Sequence, residues 1–236
     1  LYILTRYPAR LAPSAFAHWR IRIAKGVLLL LATATGTINR ASGFAGREEK
    51  HRGWLVKRAR DPARCTAHST DRAAIREELT LPTDRRLVGI FGGINVRKNP
   101  PMVLEAVVRT GLPVDLLMAG PVDEQMHAWL DGLDDSLRKR VIVADGFLPD
   151  ELLDKYLAAS DVVALVMTLE GPSGIQGKAL AAGGPVVTAG SRTRARELRA
   201  SHSGVATEFS VGDVAGGLRR VLTDEGGCAT VRPGVA

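Results

Sequence analysis

The sequence predicts an α/β fold, a Rossmann-like parallel sheet with helices on both faces. From residue 86 onward, short apolar runs alternate with segments of helical periodicity, which is typical of a sheet built from strand-helix-strand units. The apolar runs are continuous, as strands buried on both faces require. Because ligands of such sheets bind beyond the carboxyl ends of the strands, we expect the functional site at that edge.

Turn and capping signals set the predicted boundaries. A capped helix over residues 69–79 precedes the sheet. The predicted strands cover residues 87–91, 114–119, 141–144, 162–167, 185–189 and 204–207. The predicted helices cover residues 100–110, 124–140, 150–159, 174–182, 192–199 and 211–222. Two domains are expected: a basic helical segment over 1–84, with an interdomain crossing near 51–61, and the Rossmann-like domain over 85–236 with its carboxyl-terminal helix.

The first 60 residues are strongly basic. They hold twelve Lys and Arg against two acids, Glu48 and Glu49, whereas the rest of the chain has a net charge of −3. Basic helices with aromatic residues such as Trp19, next to the apolar run 26–34, leave two alternatives open. They bind an anionic membrane surface, or they pack against another domain with their charges in solvent. The apolar run is shorter than the ~20 residues of a membrane span, and nucleic acid is not expected as a partner.

The composition and the cysteines narrow the class of protein. The chain has 236 residues, of which 45% are apolar, enough for one core domain and a remainder. Cys65 and Cys228 match no metal or redox spacing, which favours a reducing compartment such as the cytoplasm. No metal site is predicted, because neither His127 nor His202 has a second His or Cys at ligand spacing.

A carboxylate and a helix start follow the predicted strand 162–167. Glu170 would lie at the carboxyl edge of the sheet, and a helix starting near Ser173, Gly174 and Ile175 would direct free backbone N–H groups at the same place. Such N–H groups bind phosphate, and a carboxylate beside them suits a ligand that also carries hydroxyls, such as a nucleotide-sugar. The alternative is an ordinary strand-turn-helix with Glu170 in solvent.

The exit of the first strand of the sheet carries a second motif. Gly92 and Gly93 permit close approach of a ligand to the backbone, and Arg97 and Lys98 put two cations just before a proline-initiated helix. Diphosphate is the expected ligand, and solvated surface charge is the alternative. Other nucleotide chemistry fits less well, because the loop lacks both the G-x-G-x-x-G spacing of dinucleotide enzymes and a P-loop Gly-Lys-Ser/Thr.

The run 170–187 resembles the carboxyl-domain signature of retaining glycosyltransferases of the GT-B fold, family four. The matching positions are Glu170, Gly171, Ala179, Ala181, Gly183, Pro185, Val186 and Val187. The resemblance implies that Glu170 is catalytic and lies near the transferred sugar. The family's second acid, which usually holds the ribose hydroxyls, is replaced here by Lys178. Either this contact is lost, or Lys178 binds the diphosphate itself.

Two further segments carry the resemblance. In the family, an Arg and a Lys of the first-strand loop bind the diphosphate; Gly93 stands at the Arg position and Lys98 at the Lys position, with Arg97 as the candidate replacement. The segment 145–156 matches a region whose backbone reads the nucleobase, and this implies nucleobase contacts for Gly146, Phe147 and Leu148.

The resemblance implies a transferase that moves a hexose from an NDP-sugar, with UDP or GDP as the nucleotide, with retention of configuration and without a further cofactor. The acceptor would be a lipid or a glycan, and the enzyme would be cytoplasmic, on the inner face of the membrane if the basic segment binds lipid. Because the resembling enzymes have two domains and this chain begins at Leu1, we expect most of the acceptor domain to be missing. The competing hypothesis is a degenerate module that binds a nucleotide or a partner protein without turnover.

Overall fold

The described part of the amino-terminal segment contains a helix and short strands. The computed structural model describes residues 2–4, 16–39, 41–44, 56–59 and 63–223; Cys228 and most of the predicted crossing at 51–61 lie outside these ranges. Strands β1 (Tyr2–Leu4), β2 (Ala41–Phe44) and β3 (Val56–Ala59) form a parallel sheet, and helix α1 spans Phe16–Ala34. The sequence predicted the helix but not the strands. Within the described ranges, no helix has the length and apolar character needed to cross a membrane.

The main sheet has six strands, all parallel, which confirms the predicted fold class. They are β4 (Arg86–Phe91), β5 (Val114–Ala119), β6 (Val141–Ala144), β7 (Val162–Val166), β8 (Val186–Ala189) and β9 (Gly204–Thr207). Their order across the sheet is β6-β5-β4-β7-β8-β9. The order reverses between β4 and β7, which pair directly through Val88 with Val162 and Gly89 with Val163. Ligands of doubly wound sheets bind at such a reversal.

The helices follow the predicted plan with one exception. They are α2 (Arg72–Glu78), α3 (Pro100–Arg109), α4 (Glu124–Asp131), α5 (Asp135–Arg138), α6 (Asp150–Ala159), α7 (Gly174–Ala181), α8 (Arg192–Ser201) and α9 (Val211–Leu222). The predicted single helix over 124–140 is wrong, because the chain forms α4 and α5 there. Gly132 ends α4, and the Asp134 carboxylate begins α5 by accepting hydrogen bonds from the N–H groups of Ser136 and Leu137.

Apolar clusters cover both faces of the sheet. On one face, α3 and α9 bury residues such as Val103, Val107 and Leu218. On the other face, α6, α7 and α8 bury Leu157, Ala179 and Leu198, and the same cluster includes Ile75 of α2 and Leu81. The residues just before the predicted boundary at 84 therefore pack on the Rossmann-like core. The sheet lies between the two layers, with the loops after β4 and β7 side by side at its carboxyl edge.

Candidate functional site

The loop after β4 brings three of the predicted residues together. Gly92 has φ +71°, in the left-handed region that favours glycine. A Cβ at this position would lie 3.3 Å from Nζ of Lys98 and 3.9 Å from Cδ1 of Ile175, at the start of α7. Gly93, in contrast, has open space around it. The chain therefore turns at Gly92 beneath the Lys98 ammonium and next to the start of α7.

Lys98 is the strongest candidate for binding an anion. It is half-buried, and its Nζ donates a hydrogen bond to the carbonyl oxygen of Phe91, the last residue of β4. Burial, with a smaller contribution from the neighbouring Arg97, lowers the pKa of Lys98 to about 8. Arg97 is itself exposed. A partly desolvated cation with a carbonyl as its protein partner gains from a second, anionic partner.

The loops after β4 and β7 are joined by a hydrogen bond. Asn99 has a left-handed backbone, with φ 50°, and its Nδ2 donates to the carbonyl oxygen of Val166 at 2.9 Å. Helix α7 then begins at Gly174, with Ser173 as its N-cap: the Ser173 hydroxyl accepts from the N–H of Gln176 at 3.3 Å. The predicted helix start is confirmed. The first N–H groups of α7 have no partner within the helix and carry the positive end of its dipole.

Glu170 holds the start of helix α8. Its carboxylate accepts hydrogen bonds from the N–H groups of Arg192 at 2.9 Å and Thr193 at 3.3 Å, and from the Ser191 hydroxyl at 3.1 Å. Burial raises the pKa of Glu170, but these hydrogen bonds outweigh burial, and the net pKa is lowered. Glu170 is therefore ionised at neutral pH, on an exposed loop at the carboxyl edge of the sheet.

The ammonium of Lys178 pairs with two carboxylates of α6. Its Nζ lies 2.7 Å from a carboxylate oxygen of Asp154, which is 1% exposed, and 3.5 Å from a carboxylate oxygen of Asp150. Burial lowers the pKa of Lys178, but the bond to Asp154 outweighs burial, and the net pKa is raised. Asp154 also accepts hydrogen bonds from the N–H and the hydroxyl of Thr66. Lys178 thus joins α7 to α6.

The predicted nucleobase residues lie at the same sheet edge, after the outer strand β6. Gly146 has φ +110°, and Phe147 is 87% exposed. The preceding residue, Asp145, accepts a hydrogen bond from the N–H of Val122 at 2.9 Å, and its second carboxylate oxygen lies 3.0 Å from Nε2 of His127. These contacts fix the segment to the loop after β5, and they leave the Phe147 ring in solvent.

Arg194 was not predicted from the sequence. It is 2% exposed and donates hydrogen bonds to the carbonyl oxygens of Met167 and Leu169 in the loop after β7. The available signal was helical spacing, since Arg194 stands four residues before the fully buried Leu198 and therefore on the same helix face. Among the described residues, no three or more His, Cys, Asp or Glu come together as a group that could hold a metal ion.

The six-stranded parallel sheet and its helices match the fold of GT-B glycosyltransferase carboxyl-terminal domains, and a family model agrees. The model of the glycosyl transferases group 1 matches residues 71–232, and the chain belongs to this family. No curated protein sequence matches the chain.

Solved structures share the fold at low sequence identity. HepE from Anabaena in complex with UDP has a TM-score of 0.72 and 19% identity, over 98% of this chain and 65% of that one. Sucrose-phosphate synthase from Thermosynechococcus elongatus has a TM-score of 0.59 and 21% identity, over 80% and 51%. WaaG, a glycosyltransferase of lipopolysaccharide biosynthesis, has a TM-score of 0.57 and 14% identity, over 97% and 80%. The chain spans about half to two-thirds of the length of the first two.

Proposed function

We propose that this chain binds the donor of a retaining glycosyltransferase of family four, which transfers a hexose from an NDP-sugar to a lipid or glycan acceptor. The observation that carries the proposal is the position of Lys98. Its ammonium is half-buried at the reversal of strand order, within reach of the Gly92 turn and beside the start of α7. HepE binds UDP in its crystal structure, and this supports a nucleoside diphosphate as the ligand here.

The proposed chemistry is electrostatic. As the bond from the sugar to the diphosphate breaks, negative charge grows on the leaving oxygen. Lys98, Arg97 and the first N–H groups of α7 offset that charge, which lowers the barrier. The ionised Glu170 contacts the sugar hydroxyls and faces the positive charge that develops on the sugar ring. The protein's own cations supply the electrostatic stabilisation, so we propose the NDP-sugar donor with no further cofactor.

The nucleoside is assigned to the segment after β6. Gly146, Phe147 and Leu148 would contact the base, with the exposed Phe147 ring free to stack on it. The choice between UDP and GDP rests on this segment. We further propose a cytoplasmic location, because the compartment that supplies activated sugar donors is also the reducing one that the cysteines favour.

Calorimetry with UDP, GDP and ADP tests the proposal on the chain as it stands. We expect one of them to bind with a Kd in the micromolar range and its nucleoside to bind far more weakly. Incubation with the matching NDP-hexoses should then give transfer to water or to an added acceptor, with NMR detecting the anomer that forms first. The absence of binding by all three nucleotides, or a product of inverted configuration, contradicts the proposal.

One observation favours a second candidate, a degenerate module that binds nucleotide or a partner without turnover. The family's second acid is Lys178 here, and its ammonium is paired with Asp154. The two candidates differ in one result. Tight nucleotide binding with no cleavage of any NDP-hexose supports the degenerate module, whereas cleavage at a rate that falls in Glu170→Gln supports the transferase.

We propose an anionic membrane surface as a partner of the amino-terminal segment. Helix α1 exposes a row of apolar side chains, each more than 40% accessible: Ile23, Val27, Leu28, Leu30 and Leu31. The first 60 residues add a net charge of +10. An apolar helix face beside basic residues is typical of interfacial binding, in which charge attracts the segment and apolar side chains anchor it.

Cosedimentation with vesicles of phosphatidylcholine and phosphatidylglycerol tests this partner. Binding should be strong at low salt, weaken as the Debye length falls to about 8 Å near physiological salt, and fail in the double variant Leu28→Glu/Leu31→Glu. Val108→Glu, at an exposed position of α3, is the matched control and should bind normally. A chain that stays in the supernatant at low salt shows that this face serves packing against another domain.

A further inference from the structure

Arg194 and Glu170 form a reciprocal clamp between α8 and the loop after β7. From α8, the guanidinium of Arg194 donates to the carbonyl oxygens of Leu169 at 2.7 Å and Met167 at 2.5 Å, and to the Thr188 hydroxyl at 3.3 Å. From the loop, the Glu170 carboxylate accepts from the first N–H groups of α8. Helix α8 therefore holds both the backbone just before Glu170 and the Glu170 side chain.

The same helix also contacts the start of α7. Nε2 of Gln176, which is 2% exposed, donates to a carboxylate oxygen of Glu197 at 3.2 Å. The start of α7 thus has its own contact with α8, separate from the contacts that Arg194 and Glu170 make in the loop before it. Lys98 lies on a different loop and has no contact with this clamp among its hydrogen bonds.

Burying the guanidinium of Arg194 costs free energy, so its retention here indicates that its geometry is needed. Burial lowers the pKa of Arg194, and the charges of Glu170 and Glu197 offset this only in part. Its hydrogen-bond acceptors are neutral carbonyl and hydroxyl oxygens, which compensate a buried charge less well than a carboxylate in direct contact would. The planar fork of Arg, however, reaches two carbonyls two residues apart, which the single ammonium of Lys does less well.

We propose that Arg194 is a positioning residue, which holds Glu170 at the sugar end of the donor without contacting the donor itself. The inference rests on the proposed function. It separates two parts of the donor: Lys98 and the α7 start bind the diphosphate, whereas Arg194 acts through Glu170 on the sugar alone. Loss of Arg194 should therefore weaken binding of the sugar-bearing donor and leave the affinity for the nucleoside diphosphate nearly unchanged.

The test is a double-mutant cycle on the full chain. Calorimetry measures the Kd of the NDP-hexose and of the NDP for wild type, Arg194→Met, Glu170→Gln and the double variant. We expect the ratio of the NDP-hexose Kd to the NDP Kd to rise about tenfold in either single variant, about 1.4 kcal/mol. The double variant should show no further rise, because both changes remove the same contact. Arg194→Lys, which keeps the charge, should give an intermediate ratio.

Arg76 provides the matched control. It is 5% exposed and binds the carbonyl oxygens of Ala159 and Arg85 and the carboxylate of Asp161, which lie at the opposite, amino-terminal edge of the sheet. Arg76→Met should lower Tm as Arg194→Met does and leave the Kd ratio unchanged. If Arg194→Met does not fold, the cycle is run with Arg194→Lys.

The outcomes separate the inference from the function on which it rests. If wild type binds neither NDP nor NDP-hexose, the proposed function fails. If wild type binds both, an unchanged ratio in the Arg194 variant overturns the inference. Equal weakening of both ligands, or additive effects in the double variant, also overturns it, because either result is that of a purely structural arginine.

Discussion

Replacing Lys98 by Met tests the diphosphate site most directly. In the free chain the ammonium is half-buried, with the Phe91 carbonyl as its hydrogen-bond acceptor. A diphosphate would add a charge-assisted hydrogen bond, whose removal costs about 1.5 to 3 kcal/mol. We therefore expect Lys98→Met to raise the Kd for the nucleoside diphosphate about 10- to 150-fold.

Calorimetry with a nucleoside diphosphate and its nucleoside measures this effect. The nucleoside affinity should hardly change, because the nucleoside has no phosphate to lose. Lys155→Met is the control, since Lys155 pairs with Glu78 on the exposed surface of α6. Equal weakening of nucleoside and nucleotide by Lys98→Met, or no weakening of either, refutes the diphosphate role.

The pH dependence gives an independent check of the same residue. The pKa of Lys98 is about 8 in the free chain, and a bound diphosphate would raise it, so binding above pH 8 takes up a proton. Affinity should therefore fall as the pH rises from about 8 toward 10, by at most about tenfold per pH unit. Lys98→Met should lose this dependence. If the affinity depends on pH in the same way in the variant, deprotonation of Lys98 is not the cause of the dependence.

Three further changes have defined outcomes. Lys178→Met leaves the Asp154 carboxylate buried without its cation, and should lower the free energy of unfolding by about 3 kcal/mol in denaturant titrations; an unchanged midpoint contradicts the ion pair. If Lys178 stands where the resembling family has a ribose-holding acid, the ribo and 2′-deoxyribo forms of the bound nucleotide should have Kd values within about threefold of each other by calorimetry, and a strong ribose preference shows that another residue holds the sugar. Glu170→Gln should cost about 1 kcal/mol at pH 7 through the cap of α8. The lowered pKa of Glu170 means that this difference is present above the ordinary value of 4.5 and disappears as the pH falls through the lower value of the folded chain, and thermal melts at several pH values measure it.

The sheet could be predicted because its physical requirements are local. A strand buried on both faces must be largely apolar, and the fully buried inner strand β5 has the predicted boundaries for this reason. The edge strands β6 and β9 are only partly buried, and their boundaries follow from the alternation of strands and helices. The break between α4 and α5 was missed, since the segment keeps helical periodicity through Gly132, whereas in the structure Gly132 ends α4 and Asp134 caps the start of α5. Strands β1 to β3 were not predicted, because they have three or four residues each and because β2 and β3 contain no apolar run.

The candidate site likewise has features that could be predicted from the sequence and features that could not. The Gly92 turn and the start of α7 follow from residue types that only certain backbones accept, so the sequence predicted both. Side-chain direction depends on partners far along the chain and was not predicted: Lys178 turns to Asp154, 24 residues earlier, and Arg194 reaches Met167, 27 residues earlier. Four arginines stand on α8: Arg194 is buried on the same helix face as Leu198, whereas Arg192, Arg196 and Arg199 are exposed.

The pair of Lys178 and Asp154 bears on whether the substituted acid means loss of function. Asp154 is 1% exposed, so a second carboxylate at position 178 would face a buried like charge, and loss of Lys178 would leave the Asp154 carboxylate buried without its cation. The substitution at position 178 therefore does more than remove an acid, because the lysine balances the charge of Asp154. This contact joins α6, which follows the proposed nucleobase segment, to α7, whose start is proposed to bind the diphosphate. A lysine here therefore helps to fix the spacing between the proposed nucleobase segment and the proposed diphosphate site, whether or not the chain also transfers a sugar.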